Sequence, residues 1–272
     1  MGTVDTIRSM WKGKSVDQQN RGVEGILLVP YRAFVVLWIG ISSLVYCTTV
    51  LSLAPLAGTM AKRVARLWMI HLLYFSRVHI KTIGKEKLDK DCHYVFVANH
   101  QSYYDIPALS AGLPFLLSFI AKKELFRIPL FGWAMSAAGH VWISRDNARE
   151  ARKSISRAVD RINKGSISLV LFPEGTRSCT DVMGTFKRAS FTLAIEAGVP
   201  VVPVSIVGAR SIMAKRSLSL VPGTVFVVVG DPIPAASVAR LDKKELSALM
   251  AEKMNAGIER GISAWEENER QG

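Results

Sequence analysis

Between Arg32 and Lys62 the chain runs for 29 residues without a charge, reading AFVVLWIGISSLVYCTTVLSLAPLAGTMA. Such a stretch must be withdrawn from water, into a protein core or into a bilayer. Residues 33–54 lie before Pro55, which stops a helix. As a helix they would extend for roughly 33 Å at about 1.5 Å per residue, enough to cross a hydrocarbon core of roughly 30 Å. A core helix of a soluble domain is the alternative, but Trp38 and Tyr46 accompany the uninterrupted apolar length as interfacial aromatics do. The stretch starts too far in and runs too long for the apolar region of a cleaved signal peptide. Both flanks are basic, with Arg8, Lys12, Lys14, Arg21 and Arg32 before it and Lys62, Arg63 and Arg66 after it. The charge bias therefore does not choose an orientation, and a spanning helix and a hairpin dipping into one leaflet both satisfy it. The next residues, KRVARLWMIHLLYFSRV, place their charges on one face of two turns, as an interfacial helix would. The expected organisation is a basic segment at 1–24, a helical membrane anchor at 25–76 and a domain at 77–272.

From residue 77 the texture changes. Short β-rich runs (RVHIKTI, HYVFVA, LLSFIA, HVWIS, SISLVLF, VVPVSIV and TVFVVVG) alternate with helical patterns, clearest at 146–163, 186–197 and 242–266. The alternation predicts an α/β fold, with a mostly parallel central sheet flanked by helices. A formal charge of +13 calls for an anionic partner. No zinc-finger spacing and no RNP-like aromatic motif is present, so nucleic acid is not expected as a partner. Cys47, Cys92 and Cys179 are odd in number and share no C-x-x-C spacing, which points away from disulfides and zinc and toward a reducing compartment.

In sheets of this kind reactive residues collect at the loops after strand ends. Two such loops stand out: ANHQSYYD, with His100 and Asp105 five apart, and FPEGTRS, with Glu174 and Arg177. A histidine whose second ring nitrogen is held by a carboxylate can act as a general base. No G-x-S-x-G elbow occurs, and no cysteine sits where a thiolate would be activated, so the nucleophile is expected to arrive on the substrate as a hydroxyl. Glycine-rich phosphate loops are absent, which argues against nucleotide hydrolysis and nicotinamide chemistry.

Taken together, these residues resemble the glycerolipid acyltransferases, in particular those that acylate 1-acylglycerol-3-phosphate. NHQSYYD is similar to the family's first motif, N-H-x-x-x-x-D. GHVWISRD, with Gly139 and Arg145, is similar to the second; FPEGTRS, from Phe172 to Ser178, to the third; VVPVSI, around Pro203, to the fourth. All four stand in the family order, across roughly residues 60 to 235. The chain departs from the pattern at Asp181 and Ala189, where glycine is frequent. The resemblance implies His100 as base and Asp105 as the residue orienting it. It implies Lys122, Arg145, Glu174, Gly175, Thr176 and Arg177 as substrate-binding, with the arginines on a phosphate.

The implied reaction moves a fatty acyl group from an acyl thioester to the sn-2 hydroxyl of lysophosphatidic acid, giving phosphatidic acid. Its donor would be acyl-CoA or an acylated acyl carrier protein, with no bound cofactor and no metal. Membrane lipids would be the surroundings, and the catalytic domain would lie at the cytoplasmic face. Another lysolipid acceptor, or a lipid-binding protein without turnover, are the alternatives.

Overall fold

A computed structural model describes residues 29–271, apart from 56–57, 144–147, 164–166, 181 and 218. The basic segment 1–24, Arg145 and Asp181 fall outside the described residues. In chain order the elements are α1 (Val29–Leu53), α2 (Gly58–Phe75), β1 (Val78–Ile83), β2 (Val95–Ala98), α3 (Asp105–Gly112), β3 (Leu117–Lys122), α4 (Phe131–Ala137) and β4 (Val141–Ile143). There follow α5 (Ala148–Asn163), β5 (Ser168–Leu171), α6 (Phe191–Glu196), β6 (Val201–Val207), α7 (Ala209–Ile212), β7 (Gly223–Val229), α8 (Ala235–Val238) and α9 (Lys243–Gln271).

The apolar run becomes α1, which ends just before Pro55. It packs antiparallel against α2: Trp38 lies 4.1 Å from Phe75 between ring centres, and the Trp68 indole N–H donates to Ser42 Oγ at 3.3 Å. The Tyr46 hydroxyl pairs with His71 Nδ1 along the same seam. The pair forms a helical hairpin docked on the domain through Arg66, whose guanidinium donates to the carbonyls of Ser110 at 2.8 Å and Leu113 at 3.0 Å. Among the described residues α1 is the one helix long and apolar enough to cross a membrane. Phe34, Leu37, Ile41 and Leu44 of α1 and Met60 and Leu67 of α2 are exposed, and apolar exposure continues at Leu125, Ile128 and Trp133 between β3 and β4.

The seven strands form one sheet in the order β1-β7-β6-β2-β5-β3-β4. Five run in one direction; β6 and β7 pair antiparallel, so β7 and β1 run the other way. Strand alternation sorts the core into two layers. Phe96, Ala98 and Val170 face α1, α2 and α3, with Val35, Leu73 and Leu109. Val95, Val97, Leu169 and Leu171 face α5, α6 and α9, with Ile162, Phe191 and Met250.

The α/β expectation holds, with two local differences. The helix expected over 186–197 is cut to α6, because the Lys187 N–H donates to Pro173 O at 2.8 Å and a short 3-10 turn occupies Arg188–Ser190. The last helix runs past residue 266 to Gln271. It lies close on the sheet because Gly257 and Gly261 face it: a Cβ at Gly257 would fall 2.4 Å from Ser205 Oγ.

Reversal of β1 has a positional effect. The reactive loops follow the ends of β2 and β5, and β1, running oppositely, starts at that same edge of the sheet. The hairpin therefore hands the chain over beside the loops, and the hydroxyls of Ser76 and Tyr104 bond across the junction at 2.6 Å.

Candidate functional site

β2 ends at Ala98, and the side-chain amide of the next residue, Asn99, closes a two-way bond with the Ile206 backbone: Nδ2 donates to Ile206 O at 2.9 Å, and Oδ1 accepts Ile206 N–H at 2.7 Å. This clamp stops β2 against β6 and fixes where the loop begins. The loop then carries His100 to the surface and returns Asp105 to the interior at the first turn of α3. Pro107 is compatible with that turn, where the first amides have no intrahelical acceptor.

His100 Nδ1 and Asp105 Oδ2 are 2.7 Å apart, with the aspartate side chain fully buried and the histidine 18% exposed. The same carboxyl oxygen accepts the backbone N–H of Gln101 at 2.7 Å and of Ser102 at 2.8 Å. Asp105 thereby fixes both the loop and the imidazole, and with Nδ1 donating to it the tautomer leaves Nε2 as acceptor. Among the described residues no hydroxyl or thiol bonds that second ring nitrogen. The ring lies stacked on Phe172, the first residue of FPEGTRS, with centres 4.2 Å apart and planes inclined by 21°.

Glu174 is 4% exposed and ties the two loops together. Its Oε1 accepts the His100 backbone N–H at 2.8 Å and its Oε2 accepts the Gly184 N–H at 2.9 Å. Burial pushes its carboxyl above the usual range, while those two amides pull it back. The Ser178 N–H adds a third strut by donating to His100 O at 2.8 Å. Gly175 turns the second loop at φ +68°, in the left-handed region that favours glycine.

Arg177 extends over Tyr103, its Cζ 3.5 Å from the ring centre. One of its terminal nitrogens, Nη1, is buried without a hydrogen-bond partner among the described residues. Thr176 is exposed and accepts Lys215 Nζ at 3.2 Å; the same ammonium donates to Arg177 O at 2.6 Å. Lys122, at the end of β3, is exposed on the same sheet edge but makes no bond to the other candidates.

His100, Asp105, Glu174, Gly175, Thr176 and Arg177 are thus brought onto two adjoining loops. Sequence reasoning passed over Asn99, Tyr103, Phe172 and Lys215. The first three stood inside motifs already quoted; Lys215 lies on a distant loop with nothing in its surroundings to single it out. His140 is separate: its Nδ1 accepts the Phe119 N–H at 3.2 Å, and burial pushes its pKa down to about 4. Among the described residues no three His, Cys, Asp or Glu side chains converge as a metal-binding group.

A sheet with a buried-carboxylate histidine at its reactive edge, faced by FPEGTR, defines a class. An acyltransferase family model matches residues 79–207, and the chain belongs to the acyltransferase family. Within it the chain is similar to a chloroplastic 1-acyl-sn-glycerol-3-phosphate acyltransferase of Brassica napus, 39% identical over 196 residues that make up 71% of this chain and 55% of the relative. The match therefore spans about half the length of that plant enzyme. An uncharacterized acyltransferase of Schizosaccharomyces pombe is 30% identical over 74% of this chain and 77% of its own. Among solved structures, the 1-acyl-sn-glycerophosphate acyltransferase of Thermotoga maritima superposes with a TM-score of 0.72 at 27% identity, covering 88% of this chain and 97% of that one.

Proposed function

We propose that the protein transfers a fatty acyl group from an acyl thioester to the sn-2 hydroxyl of 1-acyl-glycerol-3-phosphate, giving phosphatidic acid. The observation that carries this reading is the His100–Asp105 bond, with Nε2 left to a substrate hydroxyl rather than to a serine or cysteine of the chain. Nε2 takes the proton as the acceptor oxygen attacks the thioester carbonyl. The tetrahedral intermediate collapses with loss of the C–S bond, and the imidazolium returns the proton to the departing thiolate. Asp105 holds the ring and stabilises its charged form.

Arg177, Arg145 and Lys122 serve the acceptor phosphate; the unpartnered Nη1 of Arg177 supports this, since a guanidinium grips phosphate oxygens as a fork. Glu174, with both oxygens engaged by backbone amides, positions the base and shapes the acceptor site with Gly175 and Thr176. The donor is acyl-CoA or acyl carrier protein, and no metal takes part. Residues 25–76, which include the hairpin of α1 and α2, anchor the 77–272 domain to a membrane, as the exposed apolar side chains of α1 and α2 favour, with the site at the cytoplasmic face.

The test is conversion of lysophosphatidate and a labelled acyl thioester by the detergent-solubilised protein, beside His100→Ala. Labelled phosphatidate from the unaltered chain alone is the expected result. Free fatty acid as sole product, or equal turnover by both proteins, would overturn it.

A further inference from the structure

Helix α5 repeats a cation at every fourth residue: Arg149, Lys153, Arg157 and Arg161, all exposed. Residues at that spacing share one ridge, and like charges there repel and weaken the helix that carries them. Among the described residues no carboxylate forms an ion pair with Lys153, Arg157 or Arg161. The row is about 18 Å long at the helical rise per residue. It joins the sheet at Trp142 of β4, where Arg157 Cζ and Lys123 Nζ lie 5.2 Å and 5.0 Å from the ring centre. Lys123 directly follows Lys122, so positive charge continues onto the edge of the sheet that carries His100. β4 stands three strands from β2, about 14 Å at the usual strand spacing.

The position of the ridge narrows what it meets. α5 buries Ala158 and Ile162 on the sheet face opposite the one that holds Val35 and Leu73 of the hairpin. Among the described residues no large apolar side chain of α5 is exposed, unlike α1 and α2. A bilayer contact would use apolar side chains, and a lone nucleotide would use a concave site. A convex row of cations suits an elongated acidic surface.

We propose that this ridge docks an acyl carrier protein, a small acidic helical protein bearing the acyl group as a thioester on a phosphopantetheine arm. Trp142 and Lys123 mark the path of that arm toward His100. The proposal rests on the acyltransferase reading of His100 and selects its donor.

The test measures binding, which does not depend on turnover. Fluorescently labelled holo acyl carrier protein is titrated with the full chain in phosphatidylcholine nanodiscs, at low and high salt. The unaltered chain is expected to bind, more weakly as salt rises, and K153E/R157E to raise Kd by about tenfold or more. Lys153→Arg is expected to keep the affinity. Should the double reversal not fold, Lys153→Gln gives the same direction at smaller size. No carrier binding by the unaltered chain, or a Kd within about twofold in the reversed variant, would overturn the proposal. So would loss of binding to phosphatidylglycerol vesicles with carrier binding intact, which would make the ridge a lipid contact. Failure to make phosphatidate while carrier binding follows the expected pattern would count against the acyltransferase reading and leave the docking surface standing.

Discussion

His100 is held from three sides: by Asp105 at Nδ1, by Phe172 beneath the ring, and by Glu174 at its own backbone N–H. On the proposed mechanism His100→Ala lowers kcat by about 10² to 10⁴, the range for loss of a general base, as read from initial rates. Asp105→Asn keeps the shape but offers the ring the wrong partner, and a comparable loss with an unchanged acceptor KM is expected. Glu174→Gln leaves one of two buried N–H donors facing an amide N–H, so the folded state should weaken by about 1–3 kcal/mol in denaturant unfolding. His140 sets a pH dependence of its own. Its pKa falls from about 6.5 to about 4 by burial. Between those values the unfolded chain binds a proton that the folded one refuses, so stability falls as pH drops through that window, by about 1–3 kcal/mol, and is whole above it. Thermal unfolding from pH 7 to 4 should show a shallower decline in His140→Asn, whose Oδ1 still accepts the Phe119 N–H. At this scale the sequence spoke through spacing: a histidine and a carboxylate five apart after a buried run. Asn99 carried no such signal, because an amide that clamps two strands looks in sequence like any loop asparagine.

Elements were legible wherever period decided them. The runs HYVFVA and SISLVLF became β2 and β5, and the recurrence of Leu246, Met250, Met254, Ile258 and Ile262 became the buried face of α9. Helix α6 was overestimated, since the backbone bond from Lys187 to Pro173 joins residues fourteen apart and no local pattern announces it. The turn of polarity between β6 and β7 was hidden for the same reason: a buried strand reads alike in either direction. The two glycines of α9 show what close approach requires. Gly257→Ala sets a methyl against Ser205 Oγ, and the resulting shift should outweigh the gain in helix propensity, costing about 1–2 kcal/mol net in the denaturant midpoint.

For the whole molecule, the long uncharged stretch foretold one helix and the basic-edged stretch after it a second, but not how the two pack. The antiparallel packing of α1 on α2 depends on Trp38, Trp68 and Tyr46 meeting partners some 25 to 37 residues away. If the exposed face of this hairpin meets lipid, Leu37→Glu with Leu44→Glu should shift the protein from the floating to the soluble fraction in liposome flotation, while near-UV circular dichroism stays unchanged. Each buried charge would be opposed by about 2.5–3.5 kcal/mol at the centre of a spanning segment, and by less nearer the headgroups.

The reversed course of β1 turns the hairpin into a depth gauge. Ser76, two residues before the strand, is in hydroxyl contact with Tyr104, the neighbour of Asp105, so on the membrane reading the height of the base above the lipid is set by covalent chain, not by diffusion. A lysolipid confined to the leaflet then searches for the base in two dimensions, at constant altitude. Lengthening the link at Ser76–Arg77 by a few residues would raise the site off that plane without altering one reactive atom.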